Sequence, residues 1–213
     1  MRLFSFLICF LVVLAPIAGR AQTVPPGATE PKAEDLGTLP EAPAEDEPKA
    51  RAAEEPPLET LYRQLAGSGD EAEARRIARS IQILWLKSGS DTVDLLMERA
   101  AQALKADNYP LALDLLDTVV TLKPAYAEGW NRRATVYYMR QDFGRSLADI
   151  ERVLALEPRH WGALSGLGII QRQLDQDQRA LATFRKVLEV YPLLDSARKA
   201  VEELEKDLAG EPT

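Results

Sequence analysis

Reactive side chains are scarce in this 213-residue chain, which holds one cysteine, Cys9, and one histidine, His160. A single thiol forms no disulfide within the chain, and one imidazole with one thiol falls short of the four-ligand set of a structural zinc site. Glycine-rich phosphate loops after a strand are also missing: Gly162, Gly166 and Gly168 sit inside a helical pattern. Basic residues number 26 against 33 acidic ones, a formal charge of -7. That balance disfavours wrapping nucleic acid, which needs clustered Lys and Arg to displace counterions. No cofactor, no metal, no nucleic-acid partner and no catalytic constellation are expected. His160, between Arg159 and Trp161, is the one conceivable general base, set against a surface or packing role.

What is present begins with an uncharged run from Leu3 to Gly19, broken by Pro16 and ending in Gly19-Arg20-Ala21. This layout reads as an export signal over residues 1–21, cut before Gln22. The competing reading is an uncleaved anchor, since a spanning helix takes about 20 residues. Cys9 leaves with the signal, and no cysteine stands at the cut to take a lipid. Loss of Arg2 and Arg20 takes the charge to about -9. Residues 22–57 hold eight of the 14 prolines, nine acidic residues and no aromatics. Such a composition cannot offset its ordering entropy, so an extended linker is expected.

From Leu58 onward the apolar spacing is helical. Leu58, Leu61, Tyr62 and Leu65 share one face, with Gly67-Ser68-Gly69 ending it. Asp70 with Glu73 forms an N-cap signature before the stripe Ile77, Ile81, Leu84, Trp85, and Gly89 stands at a C-cap position. Residues 58–92 thus make a helical pair or a degenerate repeat. A stricter pattern follows: Pro124, Pro158 and Pro192 lie 34 residues apart, and Leu113, Leu147 and Leu181 keep the same step. That period marks a helical repeat array with units 93–126, 127–160 and 161–194. Small residues recur at Ala100, Ala134, Gly168 and at Ala112, Ser146, Ala180, facing larger ones at Leu116, Ile150 and Phe184. Asp142 and Asp175 are expected to cap the turns between paired helices, and Pro110 to mark a helix start.

These positions resemble the tetratricopeptide repeat (TPR) family, through Trp130, Ala134, Tyr137, Ser146, Ile150, Val153 and Pro158 in the second unit and their counterparts in the others. The resemblance implies an all-α right-handed solenoid, with residues 195–213 as capping helix and tail. One departure stands out. The family's apolar seventh position carries Arg99 and Arg133, so carboxylates are expected beside them: Asp149 for Arg133 and Asp114 for Arg99.

In this family the first helix of each unit lines a concave groove that holds protein segments. Carried onto this chain, the groove comprises Met97, Glu98, Ala101, Leu104 and Lys105 from the first unit. The second contributes Asn131, Arg132, Thr135, Tyr138 and Met139; the third contributes Ser165, Gly166, Ile169, Arg172 and Gln173. Tyr138, Met139 and Ile169 offer apolar contact, and Arg132 with Arg172 could hold a carboxylate. The family's clamp for acidic chaperone tails is not expected, because its lysine and asparagine positions carry Met97 and Ala101 and its later basic positions Gly162 and Gly166. The expectation is a non-enzymatic, monomeric adaptor for a protein or peptide partner, exported to a bacterial periplasm. It meets a membrane only if the N-terminal segment stays attached.

Overall fold

The same backbone turn recurs every 34 residues. In the computed structural model, Asp107, Gln141 and Asp175 adopt φ of 55°, 59° and 55°, the left-handed conformation that ends a helix. After each, the next amide returns to the carbonyl five residues back: Asn108 to Ala103, Asp142 to Tyr137 and Gln176 to Gln171. These are Schellman turns, built without glycine. They divide the described residues, 58 to 210, into helical hairpins.

Nine helices occupy those residues: α1 (Leu58–Gly67), α2 (Glu71–Leu86), α3 (Asp91–Lys105), α4 (Tyr109–Leu122), α5 (Ala127–Met139), α6 (Phe143–Leu156), α7 (Trp161–Gln173), α8 (Asp177–Val190) and α9 (Asp195–Gly210). The expected export signal and linker, residues 1–57, lie outside the described residues. The capping chemistry follows the sequence in most places. Asp70 accepts the Glu73 amide at 2.7 Å, and Asn108 and Asp142 cap α4 and α6. Asp175 does not cap α8: it is the left-handed residue of the turn, and Gln176 stands at the N-cap without a side-chain bond.

Hairpins α3/α4, α5/α6 and α7/α8 stack in chain order, and each first helix also packs on the second helix of the preceding unit. The close-approach positions hold small residues. A Cβ on Gly129 would stand 2.7 Å from a Val119 methyl, and one on Gly168 2.8 Å from the Phe184 ring. Ala112, Ser146 and Ala180 are fully buried. The register runs into α9: Val136, Ile170 and Leu204, 34 residues apart, are each completely buried against the preceding hairpin. At the free end, α3 carries exposed Gln102 at that position, and half-exposed Leu95 where the later units have Gly129, Ala163 and Ala197. A bulky Leu95 prevents the close approach that a further stacked unit requires.

Helices α1 and α2 do not form such a unit. They fold back along the edge where the proline-marked turns emerge, α1 against α8 and α2 against α5. The Leu86 carbonyl accepts from the Tyr126 hydroxyl at 2.9 Å, and the Ser88 carbonyl accepts from Lys123. Trp85 stacks on His160 with ring centroids 4.0 Å apart. Arg159 lies 3.9 Å over the Tyr62 ring and pairs with Glu59, while Arg198 pairs with Glu71 at 3.0 Å. The hairpin is therefore a strap that crosses all three junctions.

The two arginine exceptions separate. Arg133 is bound by both oxygens of Asp149, at 2.7 and 2.8 Å, and by Asp117 of the preceding unit at 2.8 Å. The bonds to Asp149 hold its pKa above the usual arginine range. Arg99 is exposed and makes no ion pair with Asp114. The residue equivalent to Asp149 is Leu115, one position beyond Asp114, and among the described residues no stacked unit precedes α3 to supply a second carboxylate.

Two stability outcomes follow. Asp149→Ala leaves a largely buried guanidinium with only the exposed Asp117 as partner and should cost on the order of 3 kcal/mol, a fall of several degrees in Tm, whereas Arg99→Ala should stay within about 0.5 kcal/mol. Equal effects in thermal denaturation contradict this assignment. Gln141→Gly relieves a left-handed non-glycine residue and should stabilise by about 1 kcal/mol; a lower Tm contradicts it.

Candidate functional site

A groove forms wherever the first helices of successive units stand side by side with their outer faces unpacked. Here depressions lie between α3 and α5, between α5 and α7, and between α7 and α9. Shared residues make them continuous. Arg132 and Leu86 join the first to a seam beside α2, Asn131, Thr135 and Gly162 join that seam to the second, and Ser165 and Ile169 join the second to the third.

The central depression encloses about 200 Å³ and is lined mainly by apolar surface. Its floor is Ala134, Ile150, Ala163 and Ile170, side chains already buried by packing between units. Its rim is Asn131, Tyr138, Gly166 and Ile169. Gly166 opens it, because no side chain projects there, and a Cβ at this position would meet only the Ile150 terminal carbon, at 3.5 Å. Tyr138 is held in place: its hydroxyl accepts from the Gln173 amide at 3.0 Å, and its ring tilts against Phe143 at 6.0 Å.

Beneath the seam with α2 lies a buried polar node. Glu128, 6% exposed, accepts from Arg132 Nε at 2.7 Å and from the Asn131 amide at 2.9 Å. His160, 2% exposed, is the N-cap of α7, where its Nδ1 accepts the Ala163 amide at 3.1 Å. An accepting Nδ1 places the ring proton on Nε2, which donates to Glu128 at 3.2 Å. Burial pushes the Glu128 carboxyl up, but the His160 hydrogen bond and the Arg132 charge outweigh it and hold the group below the usual range. With both nitrogens engaged and one face covered by Trp85, His160 has no atom left for a reactant. It positions α7 and anchors the strap.

Twelve of the fifteen groove residues expected from sequence line these depressions: Met97, Glu98 and Ala101 by α3, Asn131, Arg132, Thr135 and Tyr138 on α5, and Ser165, Gly166, Ile169, Arg172 and Gln173 on α7. Three stand elsewhere. Leu104 packs into the core of the first hairpin, and Lys105 and Met139 project from the last turns of their helices. Arg132 and Arg172 also differ from expectation, since each already meets a carboxylate, Glu128 at 2.7 Å and Glu203 at 3.1 Å. Gln82, Trp85 and Leu86 on α2 add a wall that the repeat pattern does not contain. The stripe that buries Trp85 was visible in the sequence, but its docking place was not.

No family model matches the chain. It is 39% identical over 213 residues to a TPR repeat-containing protein of Rhizobium etli, an alignment covering all of this chain and 98% of the relative. It is 27% identical over 120 residues to the Hsp70-Hsp90 organizing protein 1 of Glycine max, covering 54% of this chain and 21% of that one. Among solved structures, the first TPR of Spaghetti (RPAP3) bound to an HSP90 peptide superposes with TM-score 0.54 at 22% identity, over 57% of this chain and 96% of that one. The Sgt2 TPR domain from Aspergillus fumigatus gives 0.53 at 20%, over 58% and 87%. At such identities these two structures show the fold.

The Glu128 node carries a pH signature. A carboxyl whose folded pKa lies below its unfolded value stabilises the fold above about pH 4.3, and the contribution disappears as pH falls through the folded pKa. Glu128→Gln should therefore lower stability at pH 7, with the gap from wild type closing below about pH 4. A gap that is constant from pH 7 to 3 in urea titrations contradicts this.

Proposed function

The chain belongs to the TPR repeat proteins, and from that premise we propose that it is a non-enzymatic adaptor holding an extended segment of a partner protein in its concave groove. The observation that carries this reading is the apolar depression between α5 and α7, open through Gly166 and sized for one bulky side chain. Around it run polar side chains, Asn131, Thr135, Ser165 and Gln173, able to bond a main chain lying across them. An acidic chaperone tail is a poor fit. Met97, Ala101, Gly162 and Gly166 supply no cation where such a clamp needs them, and Arg132 and Arg172 are already paired. The occupied nitrogens of His160 support an adaptor over an enzyme.

The proposed setting is the bacterial envelope, supported by the uncharged run from Leu3 to Gly19 and the small residues before Gln22. The same run, left uncut, supports a tethered form on a proline-rich stalk. Mass spectrometry of the native protein separates them: Gln22 as first residue fits the exported form, Met1 the tethered one.

Gly166→Leu fills the central depression, and Tyr138→Ala removes its rim. Crosslinking in native cells followed by pull-down should lose partners at least tenfold in either variant, with Tm within a few degrees of wild type. Recovery of every partner at wild-type level by both variants overturns the groove assignment.

A further inference from the structure

Resting on the groove reading, we infer that the bound segment presents two bulky apolar side chains three residues apart, with a basic residue beside the one nearest α3. The second apolar site is a depression of about 240 Å³ between α3 and α5, closed by the end of α2. Leu86, Met97, Ala101 and Tyr126 give it an apolar lining. Leu86 is 45% exposed there, and its backbone is pinned by the Tyr126 hydroxyl. This pocket is a product of the strap: remove α2 and its wall is gone. It is therefore a feature of this chain rather than of the repeat register.

Its rim explains the basic residue. Among the lining residues, Asp94, which accepts the Ser88 backbone amide at 3.3 Å, and Glu98 stand with one cation, Arg132, whose Nε is bound to Glu128. Glu98 accepts from the neutral amide of Gln102 at 3.2 Å. The rim thus presents a negative balance, suited to Lys or Arg. The α5–α7 pocket has no ionised side chain in its lining. The two pockets flank α5, so their separation is about one helix spacing, roughly 10 Å. A segment in the polyproline II conformation rises about 3.1 Å per residue with three residues per turn, so side chains three apart leave the same face about 9 Å from one another and match that distance.

The test is a random twelve-residue peptide library displayed on phage and panned against the full chain. Enriched sequences should carry bulky apolar residues three apart, with Lys or Arg adjoining one of them. Leu86→Ser, at an exposed site, should erase the apolar preference next to the basic residue while sparing the other. Glu98→Lys should turn the basic preference acidic. Enrichment around a single apolar position, or unchanged profiles in both variants, overturns the inference. If binders are lost in Gly166→Leu but ignore Leu86→Ser and Glu98→Lys, the two-pocket inference fails and the groove stands. If Gly166→Leu also leaves them unaffected, or nothing is enriched, both fail.

Discussion

Close approach between each first helix and the unit before it is the constraint on which the rest of the structure depends. At Gly129 there is no room for a methyl group against Val119, and Ala163 and Ala197 hold the equivalent places one and two units later. This spacing lets Val136, Ile170 and Leu204 enter the preceding hairpins completely. It also turns the remaining face of each first helix outward, toward a common concave side. The groove is therefore a by-product of packing: its floor residues, Ile150 and Ile170, are core residues seen from above.

A second constraint acts at the edge. The turns at Pro124, Pro158 and Pro192 emerge in a row, and an array without further support leaves them to solvent. Here the strap lies across them, joined by Tyr126, His160 with Trp161, and Arg198. The His160–Glu128 pair links this seam to α5 and through Arg132 to the groove. Strap and groove share residues, so changes at one are felt at the other through direct contact.

The periodic part of this architecture was legible because a 34-residue step constrains the same side chains at each turn. Packing positions, most helix ends and the Arg133–Asp149 pair followed from it, and so did most groove positions. What escaped has no periodic trace. The docking of α1 and α2 rests on single contacts far apart in sequence, such as Trp85 on His160 and Glu59 with Arg159. Pairing Arg99 with Asp114 missed the register by one residue. The 34-step from Asp149 lands on Leu115, and no stacked unit among the described residues gives Arg99 the second partner that Arg133 has in Asp117. Arg132 is engaged locally, because Glu128 four residues earlier on the same helix is closer than any external carboxylate.

Binding of an extended segment to the concave face, as proposed, is open to direct measurement. Amide chemical-shift mapping of the full chain, with a library-selected peptide added stepwise, reads this directly. Shifts are expected to concentrate at Asn131, Thr135, Tyr138, Gly162, Gly166 and Ile169. Shifts confined to the outer faces of α4, α6 and α8 would contradict it.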